Sequence, residues 1–281
     1  MSGLARGALL ALLLGVAAPA QAGGTYVVTS DQPAFAQAAR AAVEALPGAT
    51  LLRADDSAKV AVAGADLVVV VGPLAERLVG SSLSPTAWAV AILTPRASSL
   101  PAARSVSVPV AANPTEVLGL LRLVVPGARR LAVFPANGSD TAALADAVRT
   151  AGLEPFLPKP GEPFPAAVDR LVRAADVVWI EETSSVPAGG GALVVKSAAD
   201  LGKHVIGPNR ATVLQGALYA VVPDPAAHGR AAGDIAARLL GGEKIAGVSA
   251  PEGRIVLNAA RARALGVKLP QAIAARAEAI E

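Results

Sequence analysis

The amino-acid sequence predicts an α/β protein in which two lobes, each built on a parallel sheet, are joined by a hinge. Short β-branched runs alternate with Ala-rich stretches of helical period. The run Leu67–Val71 is apolar throughout, which is typical of a parallel strand covered by helices on both faces. A Pro-rich stretch at residues 94–114 separates two such series, and two series predict two lobes.

The first βα series follows the pattern βαβαβαβ. A strand at 26–29 leads into a helix at 35–46, whose apolar side chains recur along one face. Strands at 67–71 and 87–93 follow, and the pattern then weakens into the Pro-rich crossing.

The second βα series opens after a predicted helix at 115–125. Strands are predicted at 131–134, 154–156, 176–180 and 204–206, with helices at 141–150, 165–174 and 191–201. A return section then has a strand-like segment at 216–224, helices at 226–240 and up to Gly266, a strand at 254–257, and a last helix after Pro270. We expect this section to pack on the lobe formed first, which gives lobe 1 as 23–112 plus about 218–281 and lobe 2 as 113–217.

Residues 1–22 have the pattern of a cleavable signal peptide. Arg6 precedes an apolar run from Ala8 to about Ala18, and a small-x-small site ends at Ala22. A membrane anchor is the alternative, but the run is shorter than the roughly 20 residues that span a bilayer. Because the chain has no cysteine, a lipoprotein and disulfides are excluded. We therefore expect a periplasmic protein.

Composition and motifs disfavour several classes of function. The net charge is +3, basic residues are scattered and aromatics make up 3%, so no nucleic-acid surface is expected. The sequence lacks a G-x-S-x-G elbow, a phosphate loop and an H-E-x-x-H helix. Its two histidines, His204 and His228, fall in separate elements, which disfavours an exported hydrolase. We expect no enzyme activity, no cofactor and no metal.

Polar residues at the carboxyl ends of the predicted strands are the candidate ligand contacts, because open parallel sheets bind ligands there. These residues are Ser30, Asp31, Gly72 and Thr94 in the first lobe, and Asn137, Ser139, Glu181, Glu182 and Asn209 in the second. Helix capping accounts equally well for Ser30, Asp31 and Ser139, and a simple turn for Asn137. The acidic pair could be solvated or cap a helix, or it could face a cationic group of a ligand.

The last 65 or so residues carry a family resemblance. The matching positions are Gly216-Ala217-Leu218, Asp224, Gly229, Leu240-Gly241-Gly242, Asn258, Ala264-Leu265-Gly266-Val267, Leu269-Pro270 and Arg276-Ala277. This pattern resembles the periplasmic substrate-binding proteins of ABC transporters, in the family that includes tryptophan/tyrosine-type binders. The resemblance implies the type I periplasmic binding architecture, with two Rossmann-like lobes and a hinged cleft that captures a ligand without chemistry.

The first lobe departs from that family pattern. The segment AWAVAILTPRASSLPAARSVSVPVAANPTEVL is shorter than the family's and lacks its Asp-Pro-Val and Gly-Asn-hydrophobic-Thr-Gly signatures, so ligand identity does not transfer. We expect a monomeric solute-binding protein that delivers a small molecule to an inner-membrane permease, and an amino-acid-like zwitterion fits the candidate residues. The alternative is a periplasmic sensor or accessory protein that acts through protein contacts.

Overall fold

The computed structural model describes residues 23–94, 100, 104–181 and 186–280. The expected signal peptide at 1–22 lies outside the described residues. No helix in the described part of the chain is both long enough and apolar enough to cross a membrane.

The first sheet has five strands, all parallel, and is formed by the first βα series. In chain order its elements are β1 (Thr25–Thr29), α1 (Pro33–Ala45), β2 (Thr50–Arg53), α2 (Asp56–Val62), β3 (Leu67–Val71), α3 (Gly72–Val79), β4 (Trp88–Ile92) and β5 (Ser105–Ser107). The strand order is β2-β1-β3-β4-β5. Strand β5 was missed in the sequence because it has only three residues, two of them serine, inside the Pro-rich stretch.

The second sheet has seven strands. The elements before α9 are α4 (Pro114–Val124), β6 (Arg130–Phe134), α5 (Thr141–Thr150), β7 (Glu154–Phe156), α6 (Phe164–Ala174), β8 (Val177–Ile180), α7 (Gly190–Asp200), β9 (His204–Gly207), α8 (Arg210–Leu214) and β10 (Tyr219–Val222). Helix α9 (Pro225–Leu240) follows, and the chain then returns to the second sheet with β11 (Arg254–Asn258), α10 (Ala259–Ala264), α11 (Gln271–Ala274) and β12 (Ala277–Ile280). The order is β12-β11-β10-β9-β8-β6-β7, and only β10 and β11 pair antiparallel.

The return section divides between the two sheets, which corrects the expectation that 218–281 belongs to lobe 1. Strands β10, β11 and β12 pair within the second sheet. Among the helices and strands of this section, α9 alone lies on the first sheet, where its buried face joins the core formed by α1, β3 and β4, and Ile245 and Val248 of the segment after α9 pack against the same core. Strand pairing is decided by hydrogen bonds between distant segments, so the local pattern could not assign these strands.

The expected final helix is also corrected. Helix α11 has only four residues, and the chain then extends into β12, which pairs in parallel with β11 from Ala277 to Ile280. Pairing satisfies backbone groups of β11 that an edge strand would leave open. Ile280 is buried, which adds an apolar contribution that a surface helix would not provide.

Each sheet has a buried core on both faces. On the first sheet, α1 and α9 cover one face and α2 and α3 the other. On the second sheet, α4, α5 and α10 contribute to one core and α6, α7 and α8 to the other. Three segments cross between the sheets: 108–113 after β5, 223–224 before α9, and 241–253 after α9. These crossings form the hinge region between the two lobes.

Candidate ligand-binding site

The first-sheet candidates lie at one edge of the sheet. Thr29 is in register with Val71, and Val71 with Ile92, so Ser30, Gly72 and Thr94 follow neighbouring strand ends. Asp31 lies farther out, where its exposed carboxylate forms an ion pair with Arg53 at 2.5 Å.

The hydroxyl groups of Ser30 and Thr94 are buried at this edge and have no hydrogen-bond partner among the described residues. Both residues are 7% exposed. An unpaired buried polar group costs about 1–3 kcal/mol. Few buried polar groups in natural proteins lack a partner, so two of them at one sheet edge indicate a specific role.

Backbone strain marks the same edge. Leu93, between β4 and Thr94, has a φ of 53°, the one positive φ of a non-glycine residue in the described part of the chain. Strain of this kind concentrates at functional sites. The sequence held no signal for it, since leucine is not a residue that favours this conformation.

Position 72 accommodates only glycine, because of its backbone conformation and the nearby ring of Phe35. Its φ is +81°, and a Cβ atom at this position would lie 2.9 Å from the ring of Phe35. The half-buried ring therefore covers the start of α3. Sequence reasoning placed Phe35 only on the apolar face of a helix and missed this position at the sheet edge.

On the second sheet, Glu181 directly follows β8 and is 7% exposed. Its Oε2 accepts the backbone N–H of Ala136 at 2.7 Å and the Ser139 hydroxyl at 3.5 Å. Burial raises the pKa of the Glu181 carboxyl above its ordinary range, and these two hydrogen bonds only partly offset the effect. The structure thus brings together Ser139 and Glu181, two of the predicted residues.

Glu181 lines at least three cavities in the described structure: a small one of about 10 Å³, which Trp179 also lines, and two larger ones. One of the larger cavities, of about 330 Å³, lies over the ends of β8 and β9, and the other, of about 300 Å³, lies against the hinge. The first is lined by Ile180, Glu181, Val186, Pro187, Gly189, Gly191, Ala192, Pro208, Asn209, Ala211, Thr212 and Gln215. The second is lined by Pro109, Ala111, Ala112, Asn113, Pro114, Ser139, Glu181, Val248, Ser249 and Ala250.

The two larger cavities have similar linings of small apolar and uncharged polar residues. Among the described residues that line the two cavities, Glu181 is the only ionisable side chain, and none is aromatic. Hydroxyl and amide groups supply the remaining polarity. The cavities therefore favour a ligand group that donates hydrogen bonds or carries positive charge.

The remaining second-sheet candidates differ in position. Asn209 lines the larger cavity, but its Oδ1 already accepts the N–H and hydroxyl of Thr212 as the N-cap of α8. Asn137 is exposed in the turn before Ser139. Glu182 lies outside the described residues. None of Ser30, Asp31, Gly72 and Thr94 lines either cavity, so the candidates form two groups, one on each sheet.

The hinge residues that line the smaller cavity were not among the sequence candidates. Asn113, the N-cap of α4, accepts the N–H of Thr115 at 2.9 Å and lies beside Ala250 of the third crossing. Their signal was the Pro-rich stretch itself, which was interpreted only as a connection between lobes.

Two α/β lobes with parallel sheets, joined by crossing segments beside lined cavities, define a binding protein of the type I periplasmic fold. The chain belongs to the ABC transporter substrate binding protein family, whose model matches residues 115–281. No curated protein matches the chain in sequence.

Solved structures share the fold at low identity. An ABC domain from Streptococcus pneumoniae in complex with L-Trp is 18% identical, with a TM-score of 0.53, over 92% of this chain and 99% of that one. A ligand-free, open substrate-binding protein with adhesive properties from Clostridium difficile is 16% identical, with a TM-score of 0.63 and the same coverage. A conserved domain protein from Vibrio cholerae is 16% identical, again over 92% of this chain and 99% of that one, with a TM-score of 0.52.

Proposed function

We propose that this protein is an exported, periplasmic solute-binding protein of an ABC-type uptake system and that it binds a small amino-acid-like molecule between its lobes. The observation that carries the proposal is Glu181, a buried carboxylate shared by two cavities that no cationic side chain lines in the described structure. A ligand ammonium would supply the missing opposite charge.

The two groups of candidates supply the two ends of such a ligand. Glu181 receives the ammonium, with Ser139 and Asn209 beside it, and Asn137 and Glu182 at the margin. When the hinge closes, the ligand carboxylate meets Ser30 and Thr94, and this role is supported by their hydroxyls, which have no partner in the described part of the chain. Asp31 and Gly72 complete the first-sheet edge. Closure is then stabilised by the ligand's greater affinity for the closed form.

The cavity linings support a ligand with a small side chain. The L-Trp bound to the Streptococcus pneumoniae protein is aromatic, but that protein shares 18% identity with this one. Among the described residues, no aromatic side chain lines the two larger cavities at Glu181, of about 300 and 330 Å³, and Trp179 lines only the small cavity of about 10 Å³. We propose an aliphatic or small polar amino acid, delivered by the monomeric protein to an inner-membrane permease.

A thermal-shift screen of residues 23–281 tests the proposal. Each amino acid is compared with the matching carboxylic acid that lacks the amine, and with aromatic amino acids. A ligand at 100 times its Kd stabilises the folded form by about 2.7 kcal/mol, which raises the Tm by several degrees. A Tm increase for none of the compounds would contradict the proposal and favour the sensor or accessory alternative.

Glu181→Gln tests the ammonium site once a ligand is found. Removing one partner of a buried charged pair costs about 2–5 kcal/mol, so we expect affinity to fall by a factor of about thirty or more. Glu154→Gln is the matched control, because Glu154 is exposed on β7. Equal affinities for the Glu181→Gln variant and the unmodified protein would show that Glu181 does not hold the amine.

A further inference from the structure

His228 joins two of the three crossing segments. It lies in the first turns of α9 and is 1% exposed. Its Nδ1 is 2.9 Å from the carbonyl oxygen of Asp224, in the second crossing, and its Nε2 is 3.1 Å from the carbonyl oxygen of Pro109, in the first. One buried ring therefore bridges segments that are 115 positions apart in the chain.

Of these two contacts, only the one with Pro109 links α9 to a segment that is not already attached to it. Asp224 is already attached to α9, because its side chain caps the helix and its carbonyl accepts the backbone N–H of His228 at 3.0 Å. Pro109 has no such local link to α9. Since a carbonyl only accepts, each contact is a hydrogen bond only when its own ring nitrogen carries a proton, so a neutral ring donates either to Asp224 or to Pro109.

Pro109 lies between the first sheet and the cavity. Val108, the preceding residue, donates its N–H to Ala91 of β4 at 2.9 Å. Pro109 and residues 111–114 line the hinge cavity together with Ser139 and Glu181. The position of Pro109 thus decides where the first crossing leaves the first sheet and how it borders the cavity.

Helix α9, which carries His228, is packed closely against α1 of the first lobe. Gly233 and Gly229 lie directly against backbone oxygens of α1, so α9 moves with the first sheet. A donor on α9 that holds Pro109 therefore limits the directions in which the first crossing can bend. Bending at such segments is how hinged lobes rotate.

We propose that His228 is a positioning residue for the hinge: its Nε2–H donates to the Pro109 carbonyl and restrains rotation between the two lobes. The role is separate from ligand recognition, since the hydrogen-bond partners of the ring among the described residues are the carbonyls of Asp224 and Pro109 and not a proposed ligand contact. It holds whichever solute the protein binds.

Distances between spin labels test the restraint in the ligand-free protein. The chain has no cysteine, so Val60→Cys on α2 and Asp169→Cys on α6, both exposed, give one label on each lobe. We expect His228→Ala to broaden the interlobe distance distribution by more than about 2 Å, the scale of rearrangements seen when domains move. His228→Gln, whose amide can donate to Pro109, should restore most of the original width.

Matched controls separate the restraint from folding. His204→Gln changes the chain's other histidine, on β9, and should leave the distribution unchanged. Circular dichroism confirms that each variant is folded. An unchanged distribution in folded His228→Ala would overturn the proposal.

A second measurement needs no substitution in the hinge. Long-range proton–nitrogen NMR of the unmodified protein reports which ring nitrogens carry protons, and His204→Gln assigns the two histidines. We expect a proton on Nε2 of His228. A ring protonated on Nδ1 alone cannot donate to Pro109, and that result would also overturn the proposal. Neither measurement uses a ligand, so a failure here is distinct from a failure of the thermal-shift screen.

Discussion

Gly229 of α9 lies directly against the backbone carbonyl of Ala38 in α1, so close that a Cβ atom at position 229 would stand 2.0 Å from that oxygen. One turn later, Gly233 approaches Ala42 and Ala45 of α1 in the same way. Small residues on both helices allow their backbones to meet. This contact attaches α9 to the first lobe.

Gly229→Ala is therefore expected to destabilise the protein. Alanine gains up to about 1 kcal/mol in helix propensity. Overpacking at a rigid contact costs about 1–3 kcal/mol, and here the obstacle is backbone that cannot rotate away. We expect the larger effect to win, so that the free energy of unfolding falls in urea titrations.

Gly119→Ala is the matched control for that substitution. Gly119 also lies inside a helix, α4, but an added Cβ meets nothing within 4 Å. Its replacement should stabilise the protein by about 0.4–1 kcal/mol. If both variants changed stability in the same direction, the close approach of α9 and α1 would not be the cause.

Glu181→Gln should change the pH dependence of stability. Burial raises the pKa of the Glu181 carboxyl above its ordinary value of 4.5. Between the ordinary and the raised pKa, the folded state keeps a proton that the unfolded chain releases, so the free energy of unfolding falls as pH rises through this interval. Glutamine does not ionise, so the Glu181→Gln variant does not lose this part of its stability as pH rises. We expect it to be more stable than the unmodified protein at pH 7, with the difference narrowing below the ordinary value of 4.5. Urea titrations across this pH range measure the difference.

Glu162→Gln should show the opposite sign. Hydrogen bonds from the Arg170 side chain and the Lys159 backbone N–H hold the pKa of Glu162 at about 2. The stability that Glu162 contributes is present above its ordinary pKa and is lost as pH falls towards 2. The variant should be less stable than the unmodified protein at pH 7 and approach it at pH 3. A constant difference across that range would contradict the assignment to charge.

Tyr219→Phe tests the attachment of α4 to the second sheet. The fully buried Tyr219 hydroxyl donates to the Val117 carbonyl of α4 at 2.9 Å. Its loss should lower the free energy of unfolding by about 1 kcal/mol. Tyr26→Phe is the control, because the described structure shows no hydrogen bond for that hydroxyl. A smaller loss at Tyr219 than at Tyr26 would speak against this role.

The elements that local pattern determines were predicted well from the sequence. The apolar run 67–71 and the one-sided alanine helix α1 were both recognised, because burial on two faces or on one leaves a direct trace in side-chain spacing. The family resemblance in the last 65 residues is confirmed by the family match over residues 115–281. The type I periplasmic fold that it implied is confirmed as well.

Features that depend on distant contacts escaped prediction. The pairing of β12 with β11 needs a partner that the local sequence does not specify. At the site, Glu181 was selected as a polar residue after a strand, but its partner Ala136 donates through the backbone and leaves no mark in sequence. The positive φ of Leu93 and the ring of Phe35 over Gly72 follow from tertiary packing alone.

The placement of α9 has a consequence for how the protein is made. Residues 225–240 complete the core of the first sheet, yet strands of the second sheet flank them on both sides in the chain. The alanine face of α1 therefore stays uncovered until residues 225–240 have been synthesised. The core of the first lobe is completed only after most of the second lobe has been synthesised, and we expect the two lobes to fold in one cooperative transition.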